Sequence, residues 1–350
     1  MNSAQGRSGF LVRRALWAGL CATAVVHAMV QLTSIPLLWH RTDSDRDVLA
    51  VYAAGERVRT GEPLYLPWPD YGPHVSTSSG PRFGAKLHLY PPFLATAVAP
   101  LTALSFTTFA RLWYLPLLAA FWIYAWCLAR LVLPRPNAWS VLIAGEALGL
   151  TPGAHRAVAL GQIDPVLWAL FGLALAVPAV RGAAFSASAA VKLYAGWPLL
   201  FAIRREGRGV FLQGLTVLLA GVLASGLTLG FGVFLDWAHY VLPIVGQGTF
   251  NRDNVSLSFA ALRLIRLLGW AYVPGPLPDW ARLYLTTVGI GAPLLTGWLT
   301  RRGNRNLQYG CVGAAAIMFG PLCWTSYLPI LLSPVAVALG LRVRRPVAAG

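Results

Sequence analysis

The sequence predicts an all-helical integral membrane protein: a single bundle of about ten transmembrane helices over residues 1–350, with a large first loop outside the membrane. Three observations carry this. First, 57% of the 350 residues are hydrophobic and 11% are charged, against roughly 45–50% and about 25% in soluble domains. Second, apolar stretches recur along the chain, each flanked by Arg, Pro or Gly, as a hydrocarbon slab about 30 Å thick selects. Third, 28 basic residues stand against 12 acidic ones, a formal charge of +16, and most of the arginines gather at the ends of apolar segments. They read as topology determinants and headgroup or phosphate contacts, and not as a nucleic-acid face.

The elements follow in order. A short polar start with Arg7, Arg13 and Arg14 precedes an apolar run over 15–39. That run is longer than a signal-peptide core and lacks a small-residue cleavage site, so it reads as an uncleaved first span from a cytoplasmic N-terminus. The first external loop, 40–91, holds six of the twelve carboxylates: Asp43, Asp45, Asp47, Glu56, Glu62 and Asp70. Within it Val48, Val51, Tyr52, Gly55 and Val58 recur at helical spacing with Glu56, Arg57 and Arg59 opposite, the pattern of a short helix at the membrane interface. Further apolar segments lie at 92–108, 112–133, 137–152, 162–180, 183–203, 209–235, 283–300, 308–324 and 327–341.

Counting sides from a cytoplasmic N-terminus puts three clusters inside: Arg204, Arg205 and Arg208; Arg301, Arg302 and Arg305; and the terminal Arg342, Arg344 and Arg345. The C-terminus is then cytoplasmic as well, and 236–282 is a second external loop. The same count leaves Arg130 and Arg135 outside and puts Gln162 and Asp164 inside. Cys21, Cys127, Cys311 and Cys323 all sit in apolar segments without metal-ligand spacing, which reads as packing rather than a disulfide framework or a zinc site.

Chemistry must come from loop carboxylates and bundle cations, because no P-loop, GxGxxG, HExxH or GxSxG is present. In Asp43-Ser44-Asp45-Arg46-Asp47, an Asp either caps the following helix or serves as a general base at the membrane surface. Lys192, one of two lysines, stands in the middle of an apolar segment. There it needs an anionic partner: Glu146, Asp164 or a ligand phosphate. Gly161-Gln162-Ile163-Asp164 opens another segment, as a cap or as a ligand contact. Asn251 to Ser256 forms a polar group before Arg263 and Arg266.

Taken together, Asp47 … Val51-Tyr52-Ala53-Ala54 … Gly61-Glu62-Pro63-Leu64-Tyr65, then Tyr90-Pro91-Pro92, Gly161-Gln162-Ile163-Asp164, Lys192 and Asn254-Val255-Ser256 before Arg263 resemble glycosyltransferase family 87. This family of the GT-C class includes polyprenyl-phosphate-mannose-dependent α-mannosyltransferases. The resemblance implies a GT-C-like bundle in the plasma membrane that moves a sugar, mannose above all, from a polyprenyl monophosphate to a lipid or glycan acceptor on the extracytoplasmic face, with inversion. It makes Asp47 the general base, with Asp45 as the alternative. It assigns donor phosphate or sugar contacts to Lys192, Tyr90, Gln162, Asp164, Asn254, Ser256 and Arg263. Acceptor-side candidates are Tyr52, Tyr65, Ser326 and Tyr327.

The donor lipid is a substrate, so no cofactor and no metal is implied; the partners are membrane lipids, the lipid-linked sugar and its acceptor. One departure stands near the C-terminus. The family often shows Ser-Pro-x-x-Trp and then histidines, whereas this chain reads Gly320-Pro321-Leu322-Cys323-Trp324-Thr325-Ser326-Tyr327. The alternatives are a lipid-linked-sugar transporter or flippase working through Lys192, Glu146 and Asp164, and a non-catalytic membrane partner.

Overall fold

The computed structural model describes residues 47–66, 88–247, 254–267 and 278–344, with Ala18 and Ala22. The first predicted span, Asp43, Asp45, Asp70 and the middle of each external loop lie outside the described residues. Every described element is helical, and the one strand-like feature among them is an isolated bridge between Asn254 and Trp324.

Helix α1 (Asp47–Thr60) starts with the Asp47 carboxylate in its first turn and stops at Gly61, whose φ of 76° suits glycine. The predicted face, Val48, Val51, Tyr52, Gly55 and Val58, is buried. Gly55 lets α1 approach its neighbour closely, because a Cβ there would stand 2.8 Å from the side chains of Val98 and Thr102. That neighbour is α2 (Pro92–Val98), which tightens into a 3₁₀ turn over Ala99–Ala103. The predicted span at 92–108 is therefore not one helix. Pro100 sits in the tightened turn, Leu104 is extended, and Ser105 caps a new helix by accepting from the Thr108 N–H.

That helix, α3 (Phe106–Val132), has 27 residues and is roughly 40 Å long. Helices α4 (Ala138–Gly149) and α5 (Pro152–Leu160) lead back along it. Gly161 ends α5 at a φ of 65°, and its carbonyl accepts the Trp113 indole N–H at 2.9 Å. Helices α6 (Asp164–Ala176) and α7 (Arg181–Val191) are bent by 118° at their junction, so that Asp164 and Lys192 meet.

Lys192 itself is extended, with φ −144° and ψ 116°, and α8 (Trp197–Glu206) runs back beside α7 until Glu206 meets Arg181. The predicted span at 183–203 is thus two antiparallel helices that turn at Lys192. The chain continues through α9 (Arg208–Leu229), α10 (Val233–Asp236), a π turn (Trp237–Val241), α11 (Leu242–Gln247), α12 (Leu257–Leu267), α13 (Asp279–Leu299) and α14 (Arg305–Phe319). A 3₁₀ stretch (Thr325–Leu331) and α15 (Leu332–Val343) complete it.

Among the described residues three segments are long and apolar enough to cross a membrane: Phe106–Val132, Arg208–Leu229 and Thr325–Val343. The bent pair α6–α7 would make a fourth. On α9, Leu212, Leu215, Leu219, Leu223 and Leu227 are exposed, as befits a helix whose outer solvent is lipid. The main core lies between α3, α6, α7 and α14, around Tyr124, Trp168, Phe171, Phe185 and Tyr309. Cys127 and Cys323 are buried and Cys311 half-buried, all as free thiols.

Losing one predicted span at 92–108 and gaining a turn at Lys192 changes which end each loop reaches. Arg130 donates to the carbonyl of Ala176, Arg344 to that of Leu131, and Arg205 to those of Gly303 and the Gln308 side chain. Arg130 therefore shares one end of the bundle with the clusters at 204–208, 301–305 and 342–344, and the sequence-based split that set Arg130 and Arg135 apart from them is corrected. Gln162 and Asp164 sit at the other end, with Asp47.

Candidate active site

At the end of the bundle remote from the arginine clusters at 204–208, 301–305 and 342–344 lies a cavity of about 790 Å³, within the range of small-molecule sites. Five separate stretches build its polar wall. Asp47 comes from the first turn of α1; Gln162 and Asp164 from the turn between α5 and α6; Tyr90 from the segment before α2; Lys192 and Tyr194 from the turn between α7 and α8. Ser326 and Tyr327 come from the 3₁₀ stretch, and Arg156 from the exposed side of α5. Trp237, Leu242, Val245, Leu285 and Ile290 add apolar lining.

Two contacts set the geometry. The Gln162 amide Nε2 donates to Asp47 Oδ2 at 2.5 Å, joining residues 115 positions apart. Gln162 is placed by the left-handed Gly161, where a Cβ would lie 2.9 Å from Val48 Cβ, one residue from Asp47. Lys192 Nζ donates to Asp164 Oδ1 at 2.5 Å, with the two side chains 9% and 2% exposed. The Tyr327 ring lies 4.1 Å from the same ammonium and the Tyr90 ring 5.4 Å, so two aromatic faces add cation–π attraction. Of the partners the sequence offered for Lys192, the structure selects Asp164. Glu146 is buried on α4 and does not line the cavity.

The remaining candidates have other contacts. Asn254 accepts from the Cys323 N–H and donates to the Pro321 carbonyl, while Ser256 donates to the Gly320 carbonyl at 2.5 Å. Both are buried behind the wall they hold and do not face the cavity. Arg263 on α12 has its guanidinium 5.9 Å from the Phe259 ring and is not part of the lining. Tyr52 is core, donating to the carbonyl of Leu104 at 3.0 Å, and Tyr65 donates to the carbonyl of Tyr90 at 2.7 Å, behind the lining.

Asp47, Tyr90, Gln162, Asp164, Lys192, Ser326 and Tyr327 thus come together, while Tyr52, Tyr65, Asn254, Ser256 and Arg263 support or stand apart. Sequence reasoning missed Arg156. Its signal was present: a basic residue on the short helix bracketed by the Thr151 cap and Gly161. Among the described residues no group of three His, Cys, Asp or Glu side chains is placed to hold a metal ion.

A family model, glycosyltransferase family 87, matches residues 88–345. The chain belongs to this family of membrane glycosyltransferases. The matched region holds every cavity residue named above except Asp47, which precedes it. No curated protein and no solved structure matches the chain. Membership in family 87 favours a transferase over a transporter or flippase.

Proposed function

We propose that the protein transfers mannose from a polyprenyl monophosphate to a hydroxyl of a lipid or glycan acceptor, at the extracytoplasmic face of the plasma membrane, with Asp47 as the general base. The observation that carries this reading is the Asp47 carboxylate, held by Gln162 in the wall of a cavity lined by both polar and apolar side chains. The basic clusters gathered at the opposite end of the bundle support, by the positive-inside rule, a cytoplasmic side there and an external cavity. Counting the first span that the sequence predicts, the paired and broken helices are read as about ten passes, with α1 at the outer interface.

In the reaction Asp47 takes the proton from the acceptor hydroxyl as its oxygen attacks the anomeric carbon. The bond from that carbon to the phosphate oxygen breaks, and polyprenyl phosphate leaves with the electron pair. Attack from the face opposite the leaving group turns a β-linked donor into an α-glycoside. The leaving group is already anionic, so a cation near it is worth more in the transition state than a proton donor. Lys192 is neutralised by Asp164, and its role is to fix the turn and the two tyrosines. Arg156, on the exposed side of α5 and in the cavity lining, is the residue assigned to the phosphate.

Membranes containing the protein, supplied with radiolabelled polyprenyl-phosphate mannose, test the donor. Label moving into a lipid or glycan fraction supports the reading. Transfer from a different polyprenyl-phosphate sugar and none from mannose overturns the sugar and keeps the class. No transfer from any of them overturns the proposed reaction.

A further inference from the structure

At the basic end, where α3, α6 and α15 finish and α14 begins, a second cavity of about 240 Å³ is lined by Arg130, Arg344, Asn304 and Asn306. It is remote from the first. From Trp113, which touches Gly161, to Arg130 is roughly 25 Å along α3.

The hydrogen bonds around this cavity consume acceptors and leave donors. Asn306 Oδ1 accepts from Arg181, and Asn304 Oδ1 accepts from the Leu307 N–H. Both donors can only donate, which fixes the orientation of each amide and turns its NH₂ away from those bonds. Arg130 uses Nε and Nη1 on the carbonyls of Ala176 and Pro134, and Arg344 uses Nη2 on that of Leu131. Each guanidinium has five N–H groups, so most of them are left over. Neither arginine pairs with a carboxylate among the described residues. Arg130 also lies over the Trp126 ring, 5.5 Å from its centroid, as Arg181 just behind the wall lies over that of Tyr309, but only Arg181 has a carboxylate partner, Glu206. Helix-end carbonyls supply partial charges only, so two full positive charges and two asparagines line one opening with no carboxylate partner for either arginine among the described residues.

We propose that this opening is a binding site for a phosphate group, a headgroup phosphate of an anionic glycerolipid or a soluble phosphate, held by Arg130, Arg344 and the amides of Asn304 and Asn306. The site lies at the end of the bundle to which basic residues of a membrane protein gravitate, where a pocket of this kind meets lipid headgroups. Each arginine near an anionic headgroup strengthens binding by about fivefold.

The test uses the full-length protein in nanodiscs or mixed micelles, with lipid retention read by native mass spectrometry and thermal unfolding read in parallel. The probes are phosphatidylglycerol, phosphatidylcholine and inorganic phosphate. The wild type should retain phosphatidylglycerol over phosphatidylcholine. Arg344→Gln, on the exposed last turn, should weaken that retention about fivefold, and Arg130→Gln with Arg344→Gln more. Arg302→Gln, exposed in the turn just before Asn304 but outside the cavity, should leave it unchanged.

If inorganic phosphate alone raises the unfolding temperature and both cavity variants lose the effect, the site stands and its ligand is soluble. Equal retention of the two lipids with no effect of phosphate overturns the site. So does a preference that Arg344→Gln and the double variant keep in full, or one that Arg302→Gln reduces as much. Arg344→Gln bears on folding little, so a destabilised Arg130 variant does not obscure the result. Sugar transfer is not the readout, and the outcome stands independently of the proposed reaction.

Discussion

Removing either member of the Lys192–Asp164 pair should cost far more than removing both. The ammonium and carboxylate are 2.5 Å apart and nearly inaccessible. At an effective dielectric constant of about 20 their attraction is ~7 kcal/mol, most of which offsets the cost of burying two charges. Lys192→Met leaves a buried carboxylate, and Asp164→Leu a buried ammonium between two tyrosines. Each should destabilise by about 3–5 kcal/mol, while the double replacement should come out near neutral. Unfolding of the purified protein in one detergent, measured for all four forms, closes the double-mutant cycle. A coupling of about 3 kcal/mol or more is expected. Additive effects of the two replacements would refute the pairing. A Lys192→Met variant of unchanged stability but much weakened donor binding would return Lys192 to the donor phosphate.

Three further outcomes follow from single contacts. Gln162→Ala removes the amide that orients Asp47; a lost hydrogen bond to a charged group should lower kcat roughly 10- to 100-fold at normal expression, measured as initial rates of sugar transfer. Gly153→Ala would place a Cβ 2.0 Å from the Thr325 carbonyl, so α5 must move from the 3₁₀ stretch; the cost should be about 1–3 kcal/mol, read by thermal unfolding, with activity falling too because both flank the cavity. Burial, aided by the charge of Arg57, pushes the His88 imidazole down from 6.5 to about 4. Above pH 6.5 neither state binds the proton, whereas between 6.5 and about 4 the unfolded chain takes it up first. Stability should therefore fall by up to roughly 3 kcal/mol as pH drops through that window and level off below it, and His88→Phe should flatten the step in a pH series of unfolding temperatures.

How much of this was legible in the sequence depends on whether a residue's partner was near in the chain. The face of α1 was readable from Val48, Val51, Tyr52, Gly55 and Val58, because helical spacing is local. Lys192 announced itself as a charge without a neighbour, and the structure supplies Asp164 from 28 positions away. Hydropathy windows, however, merged α7 and α8 across Lys192, since one extended residue hardly dents an apolar average. They also joined α2 to the start of α3, where Pro100 and Leu104 break the helix. Each error moved a loop to the wrong end, which is why Arg130 seemed to stand apart from the other arginines. Asn254 and Ser256 carried the polarity of ligand contacts but spend it on the backbone at 320–323. Arg156 went unremarked in the sequence although it stands on the short helix before Gly161; the folded wall places it in the same lining as Gln162 and Asp164.

The central claim, that Asp47 is the base of a lipid-linked sugar transferase, is tested most directly by comparing wild type with Asp47→Asn in membranes at matched expression, with radiolabelled polyprenyl-phosphate mannose as donor. Asparagine preserves the size of the side chain and cannot take the acceptor's proton. The rate should fall by about 10²–10⁴-fold while donor binding persists. Transfer by Asp47→Asn at the wild-type rate would contradict the account.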